Sequence, residues 1–337
     1  MRIGYHLTPF WSPTDRTPTR ILDEAIQVIA ASAGMGFSWV SMGLHWLSSP
    51  AVWPQPFPFL ARIAPETGSM RIKTSMLLLP LLNPVEVAEN VATLDHLTHG
   101  RLDVGVAIGY RQNELTAAGL SRRDRVAKLE ESLRLMKQLW SGDTVDFEGR
   151  YAHARGRLGF TPFQHPHPPI EMAAQSRGAT ERAARLADAV FFGPQVAWRD
   201  IAALAQVYQR ARRAAGHIYA SRCLMVGDSK EDAAKRARQY LERTFHMYTT
   251  WQMQESSMVP LQLDFEGSLD DWTVHGSPSD CVETLLRARD ATGLDDVGFT
   301  IYSLPSDPRA RIDYLQMISE EIVGRVAVAG CEDGRGQ

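Results

Sequence analysis

The feature that most constrains this chain is a repeated alternation of two hydrophobic patterns. Short apolar runs bounded by Gly, Pro or Asn are mostly followed by segments with apolar residues at every third or fourth position. The first pattern is typical of buried strands and the second of amphipathic helices. The predicted strands are Arg2–Leu7, Ser38–Leu44, Ile72–Leu79, Leu102–Gly109, Ile170–Ala174, Ala189–Gly193, Arg222–Gly227 and Val297–Ser303.

Eight strands of this kind are the number that closes a (β/α)8 barrel, the TIM barrel, in which helices cover a ring of parallel strands. The chain of 337 residues is long enough for such a barrel. We therefore predict an α/β fold, with a single TIM-barrel domain over residues 1–337. Two helices are well marked, one running from Asn83-Pro84 to a stop at Gly100 and another over Arg122–Trp140.

Two stretches interrupt the alternation. Residues 143–169 are rich in Gly and Pro, and residues 247–278 carry several Met and Trp side chains, among them Trp251. We interpret both as insertions, because long connections in a compact domain often form binding loops or lids. The second insertion lies just before the last strand and is predicted to cover the active site.

Composition excludes several classes of function. The formal net charge is −3 and the chain has no long run of Lys and Arg, which argues against nucleic-acid binding. The three cysteines form no C-x-x-C pair, and no His or carboxylate cluster has metal-ligand spacing, so no metal is predicted. The sequence contains no apolar run long enough for a membrane span and no signal-peptide pattern. We expect a cytoplasmic protein.

In a TIM barrel the functional side chains lie on loops that follow the carboxyl ends of the strands. Position along the chain therefore selects candidates, whereas a G-x-S-x-G elbow and a P-loop are both missing from the sequence. The selected residues are His6, Phe10, Trp11, His45, Trp46, Ser75 and Met76 with the residues up to Pro80, Tyr110, Arg111, Asn113, Gln175, Ser176, Arg177, Gly178, Gly193 and Pro194.

The chain resembles the luciferase-like flavin-dependent monooxygenases and their deazaflavin-dependent relatives over nearly its whole length. Singly the matching motifs are weak, but their order and spacing together are specific. They are Gly36-Phe37, Asn83-Pro84, Gly100-Arg101-Leu102 running into Gly109-Tyr110-Arg111, Phe147-Glu148-Gly149-Arg150-Tyr151, Pro168-Pro169-Ile170, Ser176 to Asp188, and Gly276 with Pro278.

The resemblance implies reduced FMN (FMNH2) as cofactor, with a deazaflavin as the alternative. A flavin needs a site for its phosphate and an apolar slot for its ring. Gln175, Ser176 and Arg177 lie between a predicted strand and helix, where N–H groups, a hydroxyl and a guanidinium suit a phosphate. An ordinary helix cap is the alternative, and barrel phosphate sites more often follow strands seven and eight.

Two further positions are assigned to the flavin. Tyr110, Arg111 and Asn113 follow the fourth strand, and Arg111 is predicted to contact the flavin phosphate or ring edge; alternatively it pairs with Glu114 and stabilises the loop. Thr74-Ser75-Met76 resembles the third-strand position where family members often have a non-prolyl cis peptide beside the flavin ring, although an ordinary trans strand is the alternative.

His45 is the predicted catalytic residue, because it follows the second strand at a position where the family often carries histidine. An imidazole titrates near neutral pH and is suited to proton transfer. The alternative is a structural histidine. Where many relatives have an acidic residue and a histidine before the loop, this chain has Met42-Gly43-Leu44, which leaves the detailed mechanism open.

Together these features predict a two-component monooxygenase that uses FMNH2 from a separate NAD(P)H:flavin reductase, together with O2. The substrate is expected to be small and apolar or aromatic, because several apolar side chains lie near the predicted mouth: Phe10, Trp11, Trp46, Trp53, Phe57, Trp251 and Met253. Of these, Phe10, Trp11, Trp46 and Trp251 are predicted to bind it. A homodimer is expected because dimers are common in the family. The alternatives are a deazaflavin-dependent hydride-transfer enzyme and a non-catalytic flavin-binding protein; relatives of the latter kind lack part of the barrel.

Overall fold

A closed ring of eight parallel strands forms the centre of the protein. The computed structural model describes residues 1–7, 10–11, 17–49, 51–212, 215–250, 265–301 and 307–333. The barrel strands are β1 (Arg2–His6), β2 (Trp39–Met42), β3 (Arg71–Leu78), β4 (Leu102–Ala107), β5 (Ile170–Ala173), β6 (Ala189–Phe192), β7 (His217–Val226) and β8 (Asp296–Thr300).

Each strand pairs in parallel with the next, and the pairing of β1 with β8 closes the ring. All eight predicted strands are therefore confirmed as members of a TIM barrel. The largest difference is in β7, which begins at His217 rather than at Arg222. A further strand, Thr273–Gly276, pairs with the end of β7; it was missed because it lies in the segment interpreted as the second insertion.

The helices cover the outside of this ring. α3 begins at Pro84, where the Asn83 side chain accepts a hydrogen bond from the Val85 N–H at 2.9 Å, as the sequence predicts. α5 begins at Arg125, after a short 3-10 turn at 122–124 that the prediction had included in the helix. The helices are α1 (Pro18–Ser32), α2 (Pro56–Ile63), α3 (Pro84–Leu97), α4 (Gln112–Ala117), α5 (Arg125–Trp140), α6 (Arg177–Leu186), α7 (Trp198–Ala211), α8 (Lys230–Thr250), α9 (Phe265–Trp272), α10 (Pro278–Thr292), α11 (Pro308–Ile318) and α12 (Gly324–Asp333).

Both predicted insertions contain regular structure. Residues 143–169 include an antiparallel hairpin formed by Val145–Glu148 and His153–Gly156. Residues 247–278 include the end of α8, then α9, and the strand Thr273–Gly276. Within the described part of the chain, no helix has both the length and the hydrophobicity required to span a bilayer.

Trp39 is fully buried in the middle of the barrel, and its indole ring leaves no room for a side chain at two positions on nearby strands. A Cβ added at Gly4 would overlap the Trp39 ring, and one added at Gly298 would lie 2.5 Å from Trp39 Cη2. Side chains are not tolerated at such separations, so β1 and β8 each carry a glycine where the Trp39 indole lies.

Below the carboxyl ends of the strands, the barrel interior is ionic. Lys73 on β3 is 1% exposed and donates to Glu171 Oε1, while its Nζ lies 3.5 Å from Asp296 Oδ2 and 3.6 Å from Asp103 Oδ2. Burial raises the pKa of Glu171 to about 7, against the lowering effect of the Lys73 charge. Although burial opposes it, the three carboxylates raise the pKa of Lys73 above its ordinary value, so the ammonium stays charged.

We predict that Lys73→Ala strongly destabilises the fold, because it leaves buried carboxylates without their shared cation. Loss of one partner of a buried ionic group typically costs about 3–5 kcal/mol, whereas exposed pairs are worth less than about 1 kcal/mol. Urea unfolding of Lys73→Ala and of Arg62→Ala, whose pair with Glu66 is exposed, measures the difference. Equal loss of stability in the two variants would contradict the role given to Lys73.

Candidate active site

A cavity of about 300 Å³ opens at the carboxyl ends of the barrel strands. The ends of β1, β3, β4, β5, β6 and β8 contribute to it, together with the loop after β2, as expected for the functional face of a TIM barrel. Its apolar wall consists of Leu7, Leu44, Trp53, Met76, Leu78, Ala107, Ile108, Ala173, Ala174 and Phe191.

One side of the cavity is formed by an irregular section of β3. The Ser75–Met76 peptide bond is cis, which confirms the prediction made for this position, and both residues line the cavity. Backbone from β3 passes very close to its neighbours here: a Cβ added at Gly43 would lie 2.6 Å from the Ser75 carbonyl oxygen. Glycine at Gly43 therefore permits this close approach.

His6 lines the cavity and is held neutral. Its Nδ1 hydrogen-bonds to Ser41 Oγ at 2.6 Å and its Nε2 to the Tyr219 hydroxyl at 2.9 Å. Burial, together with the nearby positive charge of Lys73, lowers the pKa of His6 to about 3. With both ring nitrogens engaged and no charge, His6 is better suited to shaping the cavity than to exchanging protons.

His45 is fixed at the cavity wall by a carboxylate. Its Nδ1 lies 2.8 Å from Glu114 Oε1, and the same oxygen accepts the Trp46 backbone N–H at 3.0 Å. The ring packs edge-on against Trp53, with centroids 4.6 Å apart, and its side chain is 11% exposed. Because an ionised carboxylate only accepts, Nδ1 carries the proton, and Nε2 is the atom suited to exchange a proton with a bound molecule.

Glu114 was not predicted as the partner of His45. Glu114 lies on α4, 69 positions after His45 in the chain. No helical or strand periodicity can therefore connect the two residues. The sequence indicated only its pairing with Arg111, three residues before it in the chain.

That pairing is present, and it changes the interpretation of Arg111. The guanidinium lies 3.2 Å from Glu114 Oε1 and also donates to the carbonyl oxygens of Trp46 and Leu47. It is buried and does not line the cavity. The alternative of a loop-stabilising ion pair therefore describes Arg111 better than the predicted flavin contact. Asn113 is exposed on α4 and is also absent from the cavity lining, whereas Tyr110 does line it.

At the predicted phosphate position, 175–177, a helix begins as expected, but the predicted cation Arg177 does not line the cavity. Gln175 and Ser176 line the cavity, and Ser176 Oγ accepts the Ala179 N–H at 3.4 Å at the start of α6. Arg177 is 79% exposed, pairs with Glu181 at 2.9 Å and does not line the cavity, so the geometry does not support its predicted role.

Two arginines that the sequence prediction missed line this part of the cavity. Arg182 donates to Glu130 Oε1 at 3.0 Å, and Arg125, at the start of α5, donates to the Gly109 carbonyl oxygen. The spacing of Ser176, Ala179 and Arg182, three residues apart on one helix face, was the available signal. No comparable signal pointed to Arg125, which arrives from another helix.

The predicted substrate contacts are only partly described. Phe10–Trp11 forms a short antiparallel pair with Ala51–Val52. Trp46 packs against the core and does not line the cavity, whereas Trp53 does. Trp251 and much of the predicted lid, residues 251–264, lie outside the described residues, and so the lid stays a prediction.

The eight parallel strands define a TIM barrel with a cavity at their carboxyl ends, and comparison with known proteins identifies the family. Residues 1–296 match the family described as luciferase-like monooxygenase, and the chain belongs to it. The protein is thus an enzyme of a flavin-dependent oxidoreductase family. In fold it is similar to monooxygenase RslO1 from Streptomyces bottropensis, with a TM-score of 0.84, 21% identity and coverage of 96% of this chain and 99% of the other.

Two relatives are named as enzymes that depend on different cofactors. The chain is 25% identical over 330 residues, 90% of each chain, to the oxygenase component of a flavin-dependent trigonelline monooxygenase of Acinetobacter baylyi. It is 33% identical over 193 residues to an F420-dependent glucose-6-phosphate dehydrogenase of Kineococcus radiotolerans, a match to 56% of this chain. That match spans about half of the dehydrogenase, 55% of its length.

Proposed function

We propose that the protein is the oxygenase component of a two-component FMN-dependent monooxygenase. It would take FMNH2 from a separate NAD(P)H:flavin reductase and use O2 to oxygenate a small apolar or aromatic substrate. The observation that carries this proposal is one cavity lined both by Ser176, Arg125 and Arg182, which are suited to a phosphate, and by the oriented imidazole of His45. The loops bearing Ser176 and His45 follow β5 and β2, which are three strands apart in the ring.

The cavity residues fit a flavin. The start of α6 offers backbone N–H groups and the Ser176 hydroxyl, and the two guanidinium groups supply positive charge for a phosphate. The aliphatic and aromatic residues between the two regions suit a flat ring. Reduced flavin, when bound, supplies the electrons that activate O2.

His45 would then move the proton that the reaction requires. Glu114 fixes the ring orientation through Nδ1 and stabilises the imidazolium, so that Nε2 can give or take a proton at the substrate. Trp53 and Tyr110 pack against the ring and limit the access of water to it. Glu114 thus orients the His45 ring, and Trp53 and Tyr110 shield it from water, while His45 transfers the proton.

FMN is favoured because the relative that matches along 90% of both chains is named as a flavin-dependent oxygenase component. That name also supports a separate reductase, and the sequence has no dinucleotide-binding fingerprint of its own. A cytoplasmic location and a homodimer remain predictions.

A deazaflavin-dependent hydride-transfer enzyme is the second candidate, since the F420-dependent relative has the higher identity over the region it shares. Anaerobic fluorescence titration with FMNH2 and with reduced F420 separates the two, followed by admission of O2. We expect tight binding of FMNH2 and O2 consumption. Tight binding of F420 alone would support the second candidate. A flavin-binding protein without catalysis fits less well, because the barrel is complete and His45 is paired with Glu114.

We predict that Arg182→Gln weakens FMN binding by about tenfold or more, because a charge-assisted hydrogen bond to phosphate is lost. Arg177→Gln is the matched control: it lies on the same helix, also pairs with a glutamate, but faces solvent. Fluorescence titration measures both affinities. If Arg177→Gln weakens FMN binding and Arg182→Gln does not, the phosphate lies where the sequence first placed it.

We predict that His45→Ala binds FMN nearly normally but forms product about 10²-fold more slowly, the usual scale for loss of a general acid or base. The reduced flavin should then release more hydrogen peroxide. Product and peroxide are measured together, with His153→Ala on the exposed hairpin as control.

Parent-like turnover of His45→Ala with no extra peroxide would show that His45 is only packed. The proton donor would then be sought at Tyr110, which lines the same cavity. His6 is the weaker alternative, because burial holds it neutral.

A further inference from the structure

A second cavity, of about 380 Å³, lies outside the barrel among α7, α8, α9, α10 and the strand Thr273–Gly276. We call it the outer pocket. It has no lining residue in common with the active-site cavity. Its polar and aromatic lining residues are Trp198, Arg199, Lys230, Asp270, Asp271, Thr273, His275, Thr284, Arg287 and Thr292.

A buried histidine faces this pocket. His275 is 4% exposed, and its Nδ1 lies 2.8 Å from Thr273 Oγ1. The Thr273 hydroxyl already donates to the Leu269 carbonyl oxygen, so it accepts from His275 and Nδ1 carries the proton. Nε2 remains on the pocket side, where Asp270 Oδ1 is 3.6 Å away, too far for a hydrogen bond. Among the described residues, this nitrogen has no hydrogen-bond partner.

The charged groups around the pocket leave an excess of positive charge. Lys230 pairs with Asp270 at 3.3 Å, and Arg199 pairs with Asp271 at 3.5 Å. Arg287 has no carboxylate partner among the described residues; its guanidinium reaches only the Thr284 hydroxyl, at 3.5 Å. Among the residues that line the pocket, each carboxylate is thus matched by a cation, and Arg287 is the additional one; Asp280, whose charge also acts on His275, does not line the pocket.

We propose that the outer pocket binds a small anion through a phosphate or carboxylate group, held by Arg287 and by Nε2 of His275. A guanidinium and an imidazole are suited to share the oxygens of such a group. The proposal is independent of the reaction in the barrel, because the residues that carry it take no part in the active-site cavity.

Anion binding should be accompanied by proton uptake at His275. Burial lowers the pKa of this imidazole, as does the charge of Lys230, whereas the carboxylates of Asp270 and Asp280 act in the opposite direction. Arg287 adds a further positive charge at the same pocket. The free protein therefore holds a neutral ring at neutral pH, and a bound anion favours its protonated, donating form.

Calorimetric titration with inorganic phosphate and, separately, with malonate tests this proposal. The enzyme is saturated with FMN, so that the phosphate region of the active-site cavity is occupied. We expect at least one of the two anions to bind once per chain, and Arg287→Gln to weaken that binding about tenfold or more. Arg309→Gln, an exposed arginine on α11 outside the pocket, is the control and should change nothing.

Titration in buffers of different ionisation enthalpy gives a second readout. Proton uptake on binding should be present in the parent and lost in His275→Gln. If FMN itself does not bind, the titration is made on Arg182→Gln, which disables the active-site phosphate region, and the dependence on Arg287 should persist. Binding of neither anion, or equal affinity in Arg287→Gln and Arg309→Gln, would overturn the proposal.

Discussion

The ammonium group of Lys73 is the interaction on which the barrel most depends. It lies on β3 and neutralises carboxylates from three other strands: Asp103 on β4, Glu171 on β5 and Asp296 on β8. One buried charge therefore ties together half of the ring, and Arg2 and Arg71 complete the balance from outside. The charge of Lys73 also affects the active-site cavity, because together with burial it lowers the pKa of His6 and keeps that ring neutral. The neutral state of His6 is one reason why we propose His45, rather than His6, as the proton-transferring residue.

Glu114, like Lys73, is one buried charged group that holds several parts of the chain together, here around His45. A single buried carboxylate accepts from the His45 ring, from the Trp46 backbone and from Arg111, which in turn holds two carbonyl oxygens of the same loop. Because the loop after β2 and the start of α4 are fixed together, His45 has a defined orientation before any ligand binds. Such preorganisation is what a proton-transferring group requires.

The sequence was informative wherever a pattern is local. Continuous apolar runs predicted every barrel strand, and the Asn83 cap predicted the start of α3. β7 begins at His217, five residues earlier than predicted, because the short buried run Ile218 to Ser221 that precedes Arg222 was not recognised as part of the strand. The arginines that line the cavity were not predicted for another reason. Arg177 is next to Ser176 in sequence but faces solvent, whereas Arg125 comes from a different helix, and only the tertiary fold brings it to the cavity that Ser176 lines.

Arg222 stabilises the segment from Gly193 to Trp198, whose two ends line the two cavities. Arg222 is fully buried on β7, and its hydrogen bonds go to the backbone carbonyl oxygens of Gly193, Val196 and Ser221. Its guanidinium stacks on Trp198 at 3.7 Å, and burial lowers its pKa to about 9. Gly193 lines the active-site cavity and Trp198 lines the outer pocket, so a single side chain holds the segment that separates them. Arg222 thus joins β7 to this segment through backbone hydrogen bonds and a cation–π contact.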